Sequence, residues 1–302
     1  MKILNDFRQI QRDFSFIDAV KIVLIPALIK SKTLKHKAIL EYLTKNYSDV
    51  INAYRLCSES SDGLASDCPI WICWFQGGNN MPPIVRECYY SVKRHAGLHP
   101  VNLITIDNYK EYVTIPKYVI SKLDNKEISY THFSDIIRNN LLADHGGIWL
   151  DATIYLTDEL KGWDKPFYTI KQNIPSDNSY VSDYKWTGFC MGGVKGNLLN
   201  LFVKAFFNAY YHKEKGLIDY FLIDYIIAVG YNNIPLIKKL IDDVPYSCPD
   251  LYYMQTKMAL PVNNKELAKV CQRTSIFKLT WKMEKPTDKH SLYYRLVFDN
   301  KL

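Results

Sequence analysis

The chain has 302 residues, of which 48% are hydrophobic and 23% charged, enough apolar content for one large globular domain with helical additions. Its formal charge of +7 favours an anionic partner, yet no zinc finger, arginine-rich run or RNA-recognition signature points to nucleic acid; pyrophosphate and anionic lipid fit better. Seven scattered cysteines without a Cys-x-x-Cys pair argue against a zinc site. With no signal-peptide pattern and no apolar run of bilayer length, they predict a cytoplasmic chain with reduced thiols.

Residues 1–62 read as a helical segment distinct from the domain that follows, residues 63–302. Phe14, Phe16, Ile17, Val20, Ile22, Val23, Leu24 and Ile25 precede Pro26, then Ala27, Leu28 and Ile29, and a run of lysines follows from Lys30 to Lys45. Such a stretch has two readings. It is a helix lying in an anionic lipid interface, or it packs on the main domain with its lysines in water. Ser58–Asp67 is polar and glycine-containing and reads as a linker.

Pro69–Phe75 is a buried-strand pattern ended by Gln76-Gly77-Gly78, and Pro82 and Pro83 open a helix through Tyr89. Val101–Ile106 is a second strand, ended by Asp107-Asn108. Strand, helix, strand predicts a parallel unit, and hence an α/β class with ligands bound outside the carboxyl ends of the strands. Trp74, at the end of the first strand, is either a core residue or a stacking platform.

The stretch from Ser134 to Thr153 organises the rest. Phe133, Ile136, Ile137, Asn140, Leu141 and Leu142 recur at helical spacing, with Asp135 and Arg138 together on another side. Gly146 and Gly147 end that helix, and Ile148-Trp149-Leu150 and Ile154-Tyr155-Leu156 are strand runs flanking a lone carboxylate, Asp151. An acid at a strand end, with an acid and a base on the preceding helix, suits a ligand bearing phosphates, a cation and sugar hydroxyls. The alternative is a salt-bridged helix followed by a turn aspartate.

Phe167–Ile170 is a further strand, Tyr180–Lys185 a polar aromatic loop, and Trp186–Val194 a strand whose glycines permit close approach. Asn197–Tyr211 is an amphipathic helix. Tyr220–Ile227 is an apolar helix carrying Asp224; a lone buried carboxylate is costly unless paired or used, which makes it a site candidate. Phe277–Lys282 alternates in strand fashion, and Asp288 and His290 follow in a proline-containing loop.

Taken together, Ser134-Asp135-x-x-Arg138, a short helix, Gly146-Gly147, a hydrophobic pair and Asp151-x-x resemble the nucleotide-sugar core of the bacterial capsular polysaccharide synthesis proteins, which are related to glycosyltransferase family 32. The resemblance extends over roughly residues 65 to 290. It implies a GT-A fold, Rossmann-like with a mainly parallel sheet, and a hexosyltransferase that moves galactose or glucose from a UDP-sugar with retention. The implied acceptor is a lipid-diphosphate-linked saccharide at the inner membrane face.

Several site roles come with the resemblance. Trp74 stacks on the uracil, Asn108 contacts the nucleotide, and Trp149, Lys278 and Lys282 complete the donor site. Asp135 takes sugar hydroxyls and Arg138 bridges sugar and phosphate, while Asp224 stands as a catalytic candidate on its own burial argument. The family's Asp-x-Asp is here Asp151-Ala152-Thr153. A divalent cation, manganese or magnesium, is therefore expected on Asp151, with Thr153 as neutral second ligand and His290 from the C-terminal segment. The competing readings are a metal-independent transferase and a catalytically inactive nucleotide-sugar-binding module.

Overall fold

The structure, a computed structural model, describes residues 2–57, 63–163 and 165–299. Its centre is a five-stranded sheet built from β1 (Ile70–Cys73), β2 (Val101–Ile104), β3 (Gly147–Leu150), β5 (Phe167–Thr169) and β6 (Cys190–Gly193). The order is β2-β1-β3-β6-β5. β1 pairs in parallel with β2 and β3, whereas β6 is antiparallel to both of its neighbours, so it alone runs against the others. The expected α/β class with a mostly parallel sheet is present. A two-stranded antiparallel ribbon joins β4 (Ile154–Leu156) to β7 (Ile276–Lys278).

Period-two alternation divides the sheet residues between two cores. Ile70, Ile72, Ile148, Leu150 and Cys190 face one core, completed by a helix at Pro83–Arg94 and by the C-terminal residues around Phe277 and Leu292. Trp71, Trp149 and Met191 face the other, completed by the helices Tyr130–Asp144, Leu198–Lys213 and Leu222–Asn233. Each large side chain withdrawn in this way contributes about 1.5–3 kcal/mol. Both faces of the sheet are covered from β1 to β5, whereas the edge strand β2 is half-buried.

The N-terminal residues form helices at Lys2–Asp13, Phe16–Ala19, Ile25–Ile29, Lys32–Asn46 and Ser48–Tyr54, with a π-helical turn at Val20–Leu24. One side of them belongs to the second core through Ile22, Ile39, Leu43, Tyr47 and Ile51. A polar clasp reinforces the join: Tyr42 and Tyr47 donate to the carboxylate of buried Glu214 at 3.0 and 2.6 Å. Among the described residues no helix is long and apolar enough to cross a membrane. Residues 58–62 of the expected linker lie outside the described residues.

Several strands are shorter than their patterns predict, and side chains cut them. β2 stops at Ile104 because Asn108 Oδ1 accepts from Thr105 N at 2.7 Å and turns the chain. The Trp186–Val194 run is a strand only from Cys190, since Thr187 N donates to Thr169 Oγ1 instead of joining a ladder. β7 ends at Lys278, and Thr280 Oγ1 accepts from Lys282 N beyond it. The glycine pair does what the sequence predicts: Gly146 and Gly147 have φ of 71° and 104°, and a Cβ on Gly147 would lie 2.3 Å from the Pro69 carbonyl oxygen.

Candidate active site

Three parallel strands deliver their carboxyl ends to one edge of the sheet. Trp74 follows β1, Asn108 lies in the turn after β2, and Asp151 follows β3. Because β6 runs the other way, its amino end arrives at the same edge, and Phe189 O accepts from Asp151 N at 2.9 Å. The β4–β7 ribbon adds Lys278, paired in register with Ile154 just beyond Asp151. Topology gathers residues more than a hundred positions apart in sequence.

Asp151 is the hub. Its Oδ2 accepts from Lys278 Nζ at 2.8 Å, and its Oδ1 accepts from Trp149 Nε1 at 2.9 Å and from Arg138 Nη2 at 3.4 Å. Arg138 also pairs with Asp135 Oδ1 at 3.1 Å, one helical turn away, and lies over the Trp149 ring at 4.9 Å. Close packing holds this guanidinium: a Cβ at Gly188 would come within 3.0 Å of Arg138 Nη1. Asp224 is held by Trp186, whose Nε1 donates to its Oδ1 at 2.9 Å.

The electrostatics sort the three acids. Burial raises the Asp151 carboxyl, but Lys278 and Arg138 outweigh it and hold its pKa below the ordinary carboxylate value. Burial pushes Asp135 up to about 7 against the pull of Arg138, with Asp151 and Asp224 adding to the rise. Burial likewise raises Asp224 to about 6, opposed by the Trp186 hydrogen bond and by Arg138. One acid is firmly ionised and two titrate close to neutrality.

Two buried donors at this edge have no partner among the described residues: Arg138 Nε and Trp74 Nε1. Orphaned buried donors are uncommon and mark places where a ligand supplies the acceptor. Trp74 stands edge-on to Trp281 at 6.0 Å, and Trp281 is 44% exposed, so two indoles stand together on the rim.

The remaining expected residues separate. Asn108 spends its side chain on its own turn, accepting from Thr105 N and donating to Leu103 O at 2.9 Å. Lys282 is exposed on the rim beside the Trp281 ring, outside the charged cluster. Thr153 lies in the turn after Asp151, and its carbonyl oxygen accepts from Leu279 N. His290 is exposed in a turn closed by its own N–H on Asp288 Oδ1.

This donor set does not make a cage for a divalent cation. Hard cations want several oxygen ligands. Asp151 brings one carboxylate with both oxygens already accepting hydrogen bonds, and Thr153 brings a neutral hydroxyl. Among the described residues no three His, Cys, Asp or Glu side chains gather in a way that could hold a metal. A cation here would have to take Asp151 Oδ2 from Lys278 and draw its other ligands from the bound molecule.

Trp186, Phe189 and Trp281 are site residues that the sequence reading did not single out. Trp186 holds Asp224, and Phe189 lies 4.7 Å beneath the Lys278 ammonium. Their signal was present, as aromatics next to Gly188 and Lys282, but only the reversed direction of β6 and the pairing of β7 with β4 give it meaning.

Comparison with known proteins gives three findings. No curated protein matches the sequence. Among solved structures, the chain is similar to the PaToxG glycosyltransferase at 15% identity and a TM-score of 0.40, over 80% of this chain and 95% of that one. The model of the family described as capsular polysaccharide synthesis protein matches residues 21–296, nearly the whole chain. The chain belongs to the capsular polysaccharide synthesis protein family.

Proposed function

We propose that this protein is a glycosyltransferase that moves a hexose, galactose or glucose, from a UDP-sugar to a lipid-diphosphate-linked saccharide, with retention at the transferred carbon. Family membership supports capsule synthesis as the setting. The observation that carries the chemistry is the cluster of Arg138, Asp151 and Lys278 at the carboxyl edge of the sheet, with Arg138 Nε and Trp74 Nε1 left unpaired.

In this reading the Trp74 indole stacks on the base, and Trp281 closes the rim beside it. The diphosphate accepts hydrogen bonds from Arg138 and Lys278, two cations fixed in advance by Asp151. Such preorganised donors stabilise charge as it develops on a leaving group without reorganising at the moment of reaction. Asp135 and Asp224 accept hydrogen bonds from hydroxyls of the sugar and of the acceptor and so orient them. The bond from the anomeric carbon to the phosphate oxygen breaks and the acceptor oxygen takes its place. The acceptor proton passes to the departing phosphate.

No step of this mechanism is routed through a divalent cation. A cation that joined the site would be held by Asp151 and Thr153 only together with the diphosphate, and would supply further charge neutralisation. The acceptor places the enzyme at a membrane surface, peripherally and on the cytoplasmic side.

Titration of the full chain with UDP tests the nucleotide site directly. Saturable binding that Trp74→Ala weakens supports this reading. Absence of binding removes it. Binding by a chain that transfers nothing from any donor would identify an inactive nucleotide-sugar-binding module instead.

A further inference from the structure

A second site lies away from the donor cluster. Between the N-terminal helices and residues 217–225 is a cavity of about 850 Å³, within the range of pockets that enclose a small organic ligand. Its apolar wall includes Ile10, Ile22, Val23 and Pro26, and its aromatic lip includes Tyr180, Tyr220 and Phe221. None of the acids or cations of the donor cluster lines it.

Charge on this cavity is one-sided. Lys2, Lys30, Lys32 and Lys35 line it against only two acids, Asp6 and Asp219. Lys35 is paired with Asp219 at 2.6 Å, and Lys32 Nζ donates to a neutral hydroxyl, Ser179 Oγ, at 3.2 Å. Among the described residues no carboxylate forms an ion pair with Lys2, Lys30 or Lys32. The helix Lys32–Asn46 also begins here, with Ser31 at its cap, and its amino end adds positive potential.

The helix that walls the cavity has a second face. Val23, Pro26, Ala27 and Lys30 fall at helical spacing on the cavity side. Leu24, Ile25, Leu28 and Ile29 fall on the other, and Leu28 and Ile29 are 73% and 63% exposed. Phe16 and Ile17 are also exposed, at 60% and 63%, with exposed Lys21 between them and Ile25. Exposed apolar side chains beside lysines without a described carboxylate partner have the complementary pattern to one kind of partner, a membrane of anionic phospholipid.

We propose that the cavity is a lipid-phosphate site. The phosphate of a membrane phospholipid sits among Lys2, Lys30 and Lys32. The first part of its chain lies against Ile22 and Val23, and the ridge of Leu24, Ile25, Leu28 and Ile29 rests in the same leaflet. The site goes beyond the transfer reading and does not depend on it. It gives residues 2–54 a role in addition to packing, and it places the lipid on the helix Leu222–Asn233, which presents Tyr225 to the cavity and Asp224 to the donor cluster.

The test uses the full chain and two soluble probes, dihexanoyl phosphatidylglycerol below its micelle concentration and inorganic phosphate, measured by calorimetry. The short-chain lipid is expected to bind saturably, and inorganic phosphate at least about tenfold more weakly, because the apolar wall adds to the lysines. Lys30→Glu/Lys32→Glu should weaken the lipid at least about tenfold, since two cations facing its phosphate become anions. Ala27→Trp fills the cavity without changing charge and should abolish binding. Circular dichroism and an unchanged UDP titration show that each variant is folded.

Four results overturn the proposal. They are no saturable lipid binding, lipid affinity unchanged in both variants, inorganic phosphate as tight as the lipid, or a dimer in solution that Leu28→Ser dissociates. The last result would assign the ridge to a second copy of the chain. Failure of the UDP titration with lipid binding intact would remove the transfer reading and leave this one standing.

Discussion

The two cationic regions of this protein handle charge in opposite ways. At the sheet edge Arg138 and Lys278 are enclosed, aimed by Asp151 and backed by aromatic rings, so their geometry is fixed before any ligand arrives. At the N-terminal cavity several lysines lack an acidic partner among the described residues, and apolar side chains beside them are exposed. Fixed, paired cations serve a reaction in which charge appears at a defined atom. Cations without a carboxylate partner beside exposed apolar surface suit adhesion to an amphipathic partner, as proposed above. The difference predicts that changes at the first region alter turnover, whereas changes at the second alter where the enzyme resides.

The sharpest way to break this contrast is Asp151→Ala. It releases Lys278 and Arg138 together, and transfer should fall by about 10³-fold, comparable to the loss of a preorganised electrostatic group. Near-normal turnover would show that the hub is structural. Lys278→Met removes one of the two cations and should cost about 10²-fold in kcat. Added chelator should leave the wild-type rate unchanged, and manganese should not restore the variant. A rate that collapses on chelation would put the cation back on Asp151.

Trp74→Ala should act on affinity more than on turnover. Base stacking is worth about 1–3 kcal/mol, so UDP should bind about tenfold or more weakly with kcat little altered. Leu28→Ser/Ile29→Ser lies at the other end of the contrast, and its rate with a soluble acceptor should equal that of the wild type.

Stability against pH gives a smaller effect. Asp135 has a folded pKa of about 7, above that of an unfolded aspartate. Its contribution is therefore fully present below the ordinary carboxylate range and is lost as pH rises through about 7. Asp151 is shifted the other way, so its contribution is present above the ordinary range and is lost in acid. Asp135→Asn should flatten the decline in denaturation midpoint between weakly acidic and neutral pH. An unchanged decline would mean that Asp135 is ionised when folded.

How far the sequence reaches follows from where its signals are local. The helix carrying Asp135 and Arg138, its glycine stop and the strand ending at Asp151 occupy one continuous stretch, so spacing alone revealed them. Trp74, an aromatic at the end of an apolar run, was open to both a core and a stacking reading, and only the family resemblance turned it toward stacking. Trp186 and Phe189 were not, because their place depends on β6 running antiparallel to β3, and strand direction is decided by long-range pairing. The ion pair of Lys278 with Asp151 spans 127 positions and rests on the β4–β7 ribbon. Asn108 shows the opposite limit: a polar residue at a strand end can be consumed by its own turn. The N-terminal apolar stretch has both of the faces that its composition allowed, one packed and one exposed.

The most direct test of the central claim is the release of nucleoside diphosphate from a panel of nucleotide sugars by wild type and Asp151→Ala, with a lipid-linked saccharide present. The account predicts release from one UDP-hexose by the wild type and release about 10³-fold slower by the variant. Near-wild-type release by Asp151→Ala, or no release from any donor by a wild-type chain that binds UDP, would contradict it.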